Sequence, residues 1–287
     1  LDGLSKTEQI AKRCIDISAN ACALTDHGNI AGAVKFHTDM KKNNIKPILG
    51  CELYICENDP SIQETSNRSL SHFLVLAKNY KGWKNLIKIV SESNRPDYFY
   101  HKPRLSLDKL KSLIEKDSLI AIFGHLGSTI ASKIMDNDKI IKDYKKVGSD
   151  LVYLVKDIFG KENVFLEAQL IDRENLPIQA DLTGAIRDIG KNTDTKIICT
   201  PDAHYCERSD AMDQRILLCN NLKTTLTKIN SKIQNNESIG MDCFFMSDNY
   251  HIPSQDEIRE IHTDEEITNT NLVKDMCEEY DILDKPH

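Results

Sequence analysis

The sequence predicts an α/β fold on a largely parallel sheet, and three observations carry that expectation. Segments reading as strand and then helix alternate over roughly 200 residues, the pattern of parallel strands joined by helical crossovers. The length, 287 residues, suits one α/β barrel of about 250 residues with an appendage. Composition is globular, 40% hydrophobic and 28% charged, which is enough to bury a core.

In chain order, Ser5-Lys6-Thr7-Glu8 reads as a capping box opening a helix with Ile10, Ala11, Cys14 and Ile15 on one face. CALTD (22–26) reads as a short buried strand ending in the turn-like His27-Gly28-Asn29. A helix over 32–43 stops at Asn43-Asn44. KPILGCELYI (46–55) and HFLVLA (72–77) are strands across a polar loop, and 82–92 is a helix with Leu86, Ile87 and Val90 at helical spacing. A helix over 105–114 precedes the buried strand SLIAIFG (118–124). Helices near 128–135 and 138–157 lead to the strand NVFLEAQ (163–169). A helix over 175–190, the strand KIICT and a helix with Ile216, Leu217 and Cys219 complete the alternation. The expected organisation is a barrel over 1–222 and a peripheral extension over 223–287, with polar helices near 254–261 and 263–280.

Lys plus Arg is 37 against 44 Asp plus Glu, a formal charge of −7, so the chain is a poor general clamp for nucleic acid. No apolar run approaches the ~20 residues of a membrane span, and no signal peptide opens the chain. The nine cysteines are scattered with no C-x2-C, which points to reduced thiols, a cytoplasmic location and no thiolate zinc finger. The first residue is Leu, so a missing N-terminal piece is expected.

Chemistry concentrates at strand ends. His27 follows CALTD, His72 opens HFLVLA, His125 follows SLIAIFG and His204 follows KIICT. In a barrel the carboxyl rim of the strands gathers such residues, and His72 reaches it if its strand runs antiparallel to 46–55. Asp26, Glu52, Glu167 and Asp202 accompany them. Imidazole plus carboxylate is the ligand set of hydrolytic zinc, manganese or iron centres, which bind a phosphate ester between ions. Plainer readings stand beside this one. Asp26 can cap the following helix and Glu167 can lie on a solvated face. His37, His251 and His262 read as surface residues, and Trp83 as core. Lys102 and Arg104 can touch a phosphate backbone or face solvent.

The blocks LTDHGNIAGAVKFHTDMKKNNIKPILGCELYI, HFLVLAKNYKGWKNLIKIVSES, FYHKPRL, IFGHLGS, NVFLEAQ, TPDAHYCERSDAMDQRILLC and FFMSDNYHIPSQDEI occur in order. Together they resemble the polymerase-and-histidinol-phosphatase (PHP) domain of bacterial-type replicative DNA polymerase III alpha subunits. The resemblance implies a distorted TIM-like (β/α)7 barrel with a small C-terminal helical extension leading toward a polymerase core. It implies metal ligands Asp2, His27, Glu52, His72, His125, Asp202 and His204, with His27, Asp202 and His204 catalytic and Asp26 orienting an imidazole. His125 stands where many members have Cys. A His-x-His pair that usually precedes LDG lies upstream of residue 1. The cofactor implied is a cluster of up to three divalent ions (Zn, Mn, Fe or Mg), incomplete without that pair. The activity implied is phosphoester hydrolysis, such as 3′–5′ exonuclease trimming, within a DNA-directed DNA polymerase. Its partners would be a DNA 3′ end, the rest of the polymerase chain and other replisome subunits, with no membrane. The alternatives are a scaffold bracing the polymerase and a stand-alone phosphatase of the histidinol-phosphate type.

Overall fold

The computed structural model describes residues 2–235, 237 and 242–283. The chain begins with α1 (Thr7–Asp16), β1 (Ala21–Leu24), α2 (Ala33–Lys42), β2 (Lys46–Ile55), β3 (Ser71–Ala77) and α3 (Tyr80–Ser93). The short strands β4 (Phe99–Tyr100) and β5 (Lys102–Pro103) precede α4 (Leu107–Leu113), β6 (Leu119–Phe123) and α5 (Ala131–Ile134). Next come β7 (Met135–Asp136), β8 (Lys139–Ile140), α6 (Tyr144–Phe159), β9 (Val164–Ala168), α7 (Pro177–Thr193) and β10 (Ile197–Cys199). Among the described residues the chain then runs through α8 (Ala211–Asn221), α9 (Leu226–Gln234), α10 (Asp242–Met246), α11 (Gln255–Ile261) and α12 (Asp264–Met276).

The expected α/β class holds, as a curled half-barrel sheet of order β1-β2-β3-β6-β9-β10. The pairs β1–β2, β6–β9 and β9–β10 are parallel, whereas β3 is antiparallel to both neighbours. That reversal places Tyr54 opposite His72, so the start of β3 meets the end of β2, as the sequence suggested. Two local expectations shift. Asn137 and Asp138 both adopt positive φ, 46° and 59°, and turn β7 into β8 as a hairpin. The helix expected from 138 therefore starts at Tyr144. The first capping box sits one residue later than Ser5, with Gln9 Oε1 accepting the Lys6 N–H at 2.8 Å.

Strand alternation sends side chains to two cores. Leu49, Cys51, Leu53, Phe73, Val75, Ala121, Phe123, Val164 and Leu166 face the layer formed by α1, α2, α3, α4, α6 and α7, where Trp83 is buried as expected. Ile48, Leu76, Ile120, Ile122, Phe165 and Ile198 face the other way and meet Val273 and Cys277. The segment beyond 222, read as peripheral, thus supplies part of this inner core through α12.

Of the histidines expected at the surface, His37 and His251 are inside and His262 is half-buried. His37 is buried with Nε2 3.1 Å from the Tyr280 carbonyl, and His251 is buried with Nε2 3.0 Å from Glu257 Oε1. His262 lies 3.2 Å from Glu266 Oε2. Seven of the nine cysteines are buried. Among the described residues no helix is long and apolar enough to cross a membrane.

Glu266 ties α12 to α7 and gives an acid-stability prediction. Its carboxylate accepts from Arg187 Nε at 2.7 Å and Nη2 at 3.1 Å, and from the Thr263 N–H at 3.2 Å. Burial alone would raise its pKa, but His262, Arg187 and the Thr263 amide overcome that and bring it from 4.5 to about 2. A carboxylate depressed in the folded state stabilises the fold above its ordinary pKa, and loses that effect as pH falls through the folded value. Stability should therefore drop between pH 4.5 and 2, by about 3 kcal/mol from this group at 1.36 kcal/mol per unit. Glu266→Gln should lower the urea midpoint at pH 7 and flatten that acid slope. An unchanged slope would show that the pair with Arg187 contributes nothing.

Candidate metal centre

The inner face of the sheet is apolar at one end and polar at the other. Along β2, Ile48, Gly50, Glu52 and Tyr54 share a face by alternation, so the apolar core gives way to Glu52 where the strand reaches the rim. Glu52 is the hub. Its Oε2 lies 2.8 Å from His27 Nδ1, and its Oε1 lies 2.7 Å from His72 Nδ1 and 3.3 Å from His125 Nε2. His27 is held by a bridge between the end of β1 and Glu52, with the Glu52 N–H donating to the Asp26 carbonyl at 3.0 Å. His72 is fixed through its backbone, which donates to Gly127 O at 2.8 Å and accepts from the Thr129 N–H at 3.0 Å. A Cβ on Gly127 would stand 3.1 Å from His72 Nδ1 and 3.2 Å from His125 Cε1, so any side chain there would crowd both imidazoles.

The other side of the centre comes from distant chain segments. His27 Nε2 is 3.2 Å from Asp2 Oδ2, and the Leu4 N–H donates to His204 O at 2.7 Å, bringing the chain start beside the loop after β10. His204 Nδ1 is 2.7 Å from the carbonyl of Asp202 and 3.7 Å from its carboxylate. Asp202 takes a left-handed φ of 47°, a conformation Asp tolerates better than most residues. Candidate ligand atoms of Asp2, His27 and His204 lie within 4.8 Å of one another, as do those of His27, Glu52 and His72. His27 belongs to both groups. All seven residues expected as ligands therefore gather at one end of the sheet, with Asp202 near enough to His125 to act on its charge.

Electrostatics follow from this crowding. Burial opposes charge on His27, but Asp2 and Glu52 prevail and raise its pKa to about 10. Burial likewise opposes charge on His125, and Glu167 and Glu52 raise it to about 9. Burial would raise the Glu52 carboxyl, yet His125, His27 and His72 drive it far below the carboxylate range. Asp2 is lowered in the same way by His27 and His204. Burial pushes Glu167 up.

The donor set fits a divalent cation. His27 Nδ1 and His125 Nε2 are fully buried and sit close to Glu52 oxygens, yet neither makes an aligned hydrogen bond. The candidate ligand nitrogens and oxygens of each group lie within 4.8 Å of one another, close enough to share one ion. Neutral imidazoles and carboxylates without thiolate are the ligands of zinc, manganese and iron in hydrolytic sites.

Not every expected residue is placed as the sequence suggested. Arg104 cannot reach nucleic acid, because it is fully buried and its guanidinium donates to the carbonyls of Asn67 and Tyr100. Asp26 makes no hydrogen bond to an imidazole among the described residues. Its carboxyl accepts the Gly32 N–H where α2 begins, and acts on His27 only through space. Glu167 is not on a solvated face. It is 1% exposed, accepts from the His125 N–H at 3.3 Å and from Thr200 Oγ1 at 2.8 Å, and so positions His125. Its position in step with the inward Phe165, two residues earlier on β9, is the available signal. Tyr54 carries no motif signal, yet its ring stacks on His27 at 5.9 Å and meets His72 edge-on at 5.3 Å. Lys102 is exposed, with Nζ 4.3 Å from the centre of that ring.

Residues 1–170 match the PHP domain family. DNA polymerase III subunit alpha of Borreliella burgdorferi is 29% identical over 98% of this chain and 23% of its own length. The Helicobacter pylori subunit is 30% identical over 96% of this chain and 22% of its own. The chain thus spans under a quarter of these curated relatives. An amidohydrolase from Chromobacterium violaceum, solved with bound sulfate and no metal, aligns over 71% of this chain and 84% of its own with a TM-score of 0.45 and 12% identity.

Proposed function

The chain belongs to the PHP domain family, and from that premise we propose that it holds a divalent-metal cluster and hydrolyses phosphodiesters, trimming DNA 3′ ends beside a polymerase. What supports this most is the double use of His27, which serves two ligand groups at once and whose buried Nδ1 has no aligned hydrogen bond. Asp2, His27, Glu52, His72 and His204 would hold the ions, with His125 and Asp202 completing the set. Ions bound there would supply Lewis acidity to a phosphoryl group. The chain's own residues do the rest. Glu52 orients three imidazoles, and Glu167 fixes His125. His27 and Asp202 are partly open to solvent, and with His204 they are the residues assigned to catalysis. Polymerisation would belong to the remaining length that the polymerase relatives have, with replisome subunits as further partners and the cytoplasm as location.

In the protein supplied with manganese, Asp202→Asn should slow trimming of a labelled DNA 3′ end by at least roughly 100-fold, because a ligand carboxylate is lost while its shape is kept. Retained trimming with an intact circular dichroism spectrum would remove Asp202 from the ligand set. If the unmutated protein trims DNA with none of zinc, manganese or magnesium, the scaffold role replaces the enzymatic one. Metal at 100 times its Kd should also stabilise the fold by about 3 kcal/mol, a Tm rise on the order of 5 °C. A Tm indifferent to chelator would speak against any resident ion.

A further inference from the structure

Between α3 and α4 the chain forms a small hairpin against the rim of the metal centre. Phe99 pairs with Pro103 and Tyr100 with Lys102, leaving His101 at the tip with φ 63°. The hairpin is fixed from below by the buried Arg104, whose guanidinium lies 5.1 Å from the Tyr100 ring centre as well as bonding the Tyr100 carbonyl. It is fixed from the side at Gly28, the residue after ligand His27. A Cβ at Gly28 would lie 2.7 Å from Pro103 Cγ, and Asn94 Nδ2 donates to Gly28 O at 3.1 Å. The hairpin and the His27 turn therefore form one rigid edge.

Its outer surface is unusual for this acidic chain. Phe99 is 47% exposed. His101 is exposed, with its ring 4.5 Å from that of Tyr100. Lys102 makes no ion pair among the described residues, whereas the neighbouring Arg95 and Lys109 are matched by Glu92, and Arg95 also by Asp97. Lys102 reaches instead over Tyr54, whose ring stacks on His27. A bare aromatic ring, an imidazole and an unpaired ammonium thus crowd one short hairpin beside the centre. With a net charge of −7 no general field holds a polyanion here, so contact must be local.

We propose that this hairpin is the platform for the free end of a single-stranded nucleic acid. Phe99 and His101 stack on its terminal bases, and Lys102 takes a backbone phosphate next to the metal centre. Base-on-aromatic stacking tolerates any sequence, as a trimming site requires, and one lysine per phosphate supplies register without specificity. The inference rests on the centre being a phosphodiester-cleaving one, and the experiment separates the two.

Binding is read by fluorescence anisotropy with a 5′-labelled phosphorothioate oligothymidylate in manganese, which requires no turnover. Phe99→Ala and Lys102→Gln should each weaken binding roughly tenfold. Lys102→Gln should also reduce the slope of log K against log salt by about 0.7, and Phe99→Ala should not. In turnover, the ratio of kcat/KM for an oligonucleotide to that for bis(p-nitrophenyl) phosphate should fall at least tenfold in either variant. Variants that bind the strand as tightly as the unmutated protein overturn the proposal, as does an unmutated protein that does not bind it; a hairpin serving a protein partner would give that result. If the unmutated protein binds the strand but cleaves neither substrate, the hydrolytic reading fails and the binding comparison still decides the hairpin's role.

Discussion

Glu52→Gln should strip divalent metal from the protein and abolish hydrolysis, the largest functional effect of any single substitution here. Three imidazoles converge on this carboxylate, at 2.7, 2.8 and 3.3 Å. A glutamine side chain preserves the volume but removes the negative charge and presents an N–H to nitrogens that need an acceptor. Either His27 or His72 must then turn away, and one of the two ligand groups loses two members together. Metal affinity should fall at least roughly 100-fold, about 3 kcal/mol at 1.4 kcal/mol per tenfold. Metal content after dialysis, read by mass spectrometry and titration calorimetry, checks this. Stoichiometric metal in the variant would mean that Glu52 only braces histidines and that the ions sit elsewhere. The substitution removes no packing, so a failure to fold would itself report how strongly the clustered imidazoles depend on that charge.

Much of this centre was legible in the sequence because residue type and strand parity were sufficient for it. Glu52 lies in step with Ile48 and Gly50, and His72 in step with Leu74 and Leu76, so reversing β3 was enough to bring the two together. What escaped was set by neighbours far along the chain. Arg104 looks like any surface cation until the carbonyls of Asn67 and Tyr100 close around it. Glu167 is polar in a strand of five buried residues, and only Thr200 and the His125 amide explain why it can be there.

The closing helix reads as peripheral for a related reason. Its buried face carries Glu266, Asn269 and Val273, a mostly polar set that looks solvent-facing. Those polar groups serve the sheet's open edge. Asn269 Nδ2 donates to Ile197 O at 3.0 Å, and Thr270 Oγ1 accepts the Cys199 N–H at 3.0 Å, so α12 satisfies backbone groups that edge strand β10 leaves unpaired. A helix that replaces a missing strand needs hydrogen-bonding side chains where a core helix would carry apolar ones.

Val273→Asp should accordingly destabilise the whole fold, by about 3–5 kcal/mol, the cost of an uncompensated buried charge. Val273 is 5% exposed and packs with Ile48, Leu76, Ile120, Ile122, Phe165 and Ile198 on the sheet's inner face. A carboxylate there is set among apolar side chains, and it must either stay protonated or pull α12 away and open that core to water. Val273→Ala should lose about 2 kcal/mol, from a smaller buried side chain and the cavity it leaves. The neighbouring Leu272 is 37% exposed, so Leu272→Asp should cost no more than about 0.5 kcal/mol. Urea unfolding of the three variants decides the matter through the order of their midpoints. Equal midpoints for Val273→Asp and Leu272→Asp would mean that α12 does not sit on the sheet in solution. The inner core would then need another cover, and the Cys199 N–H another acceptor.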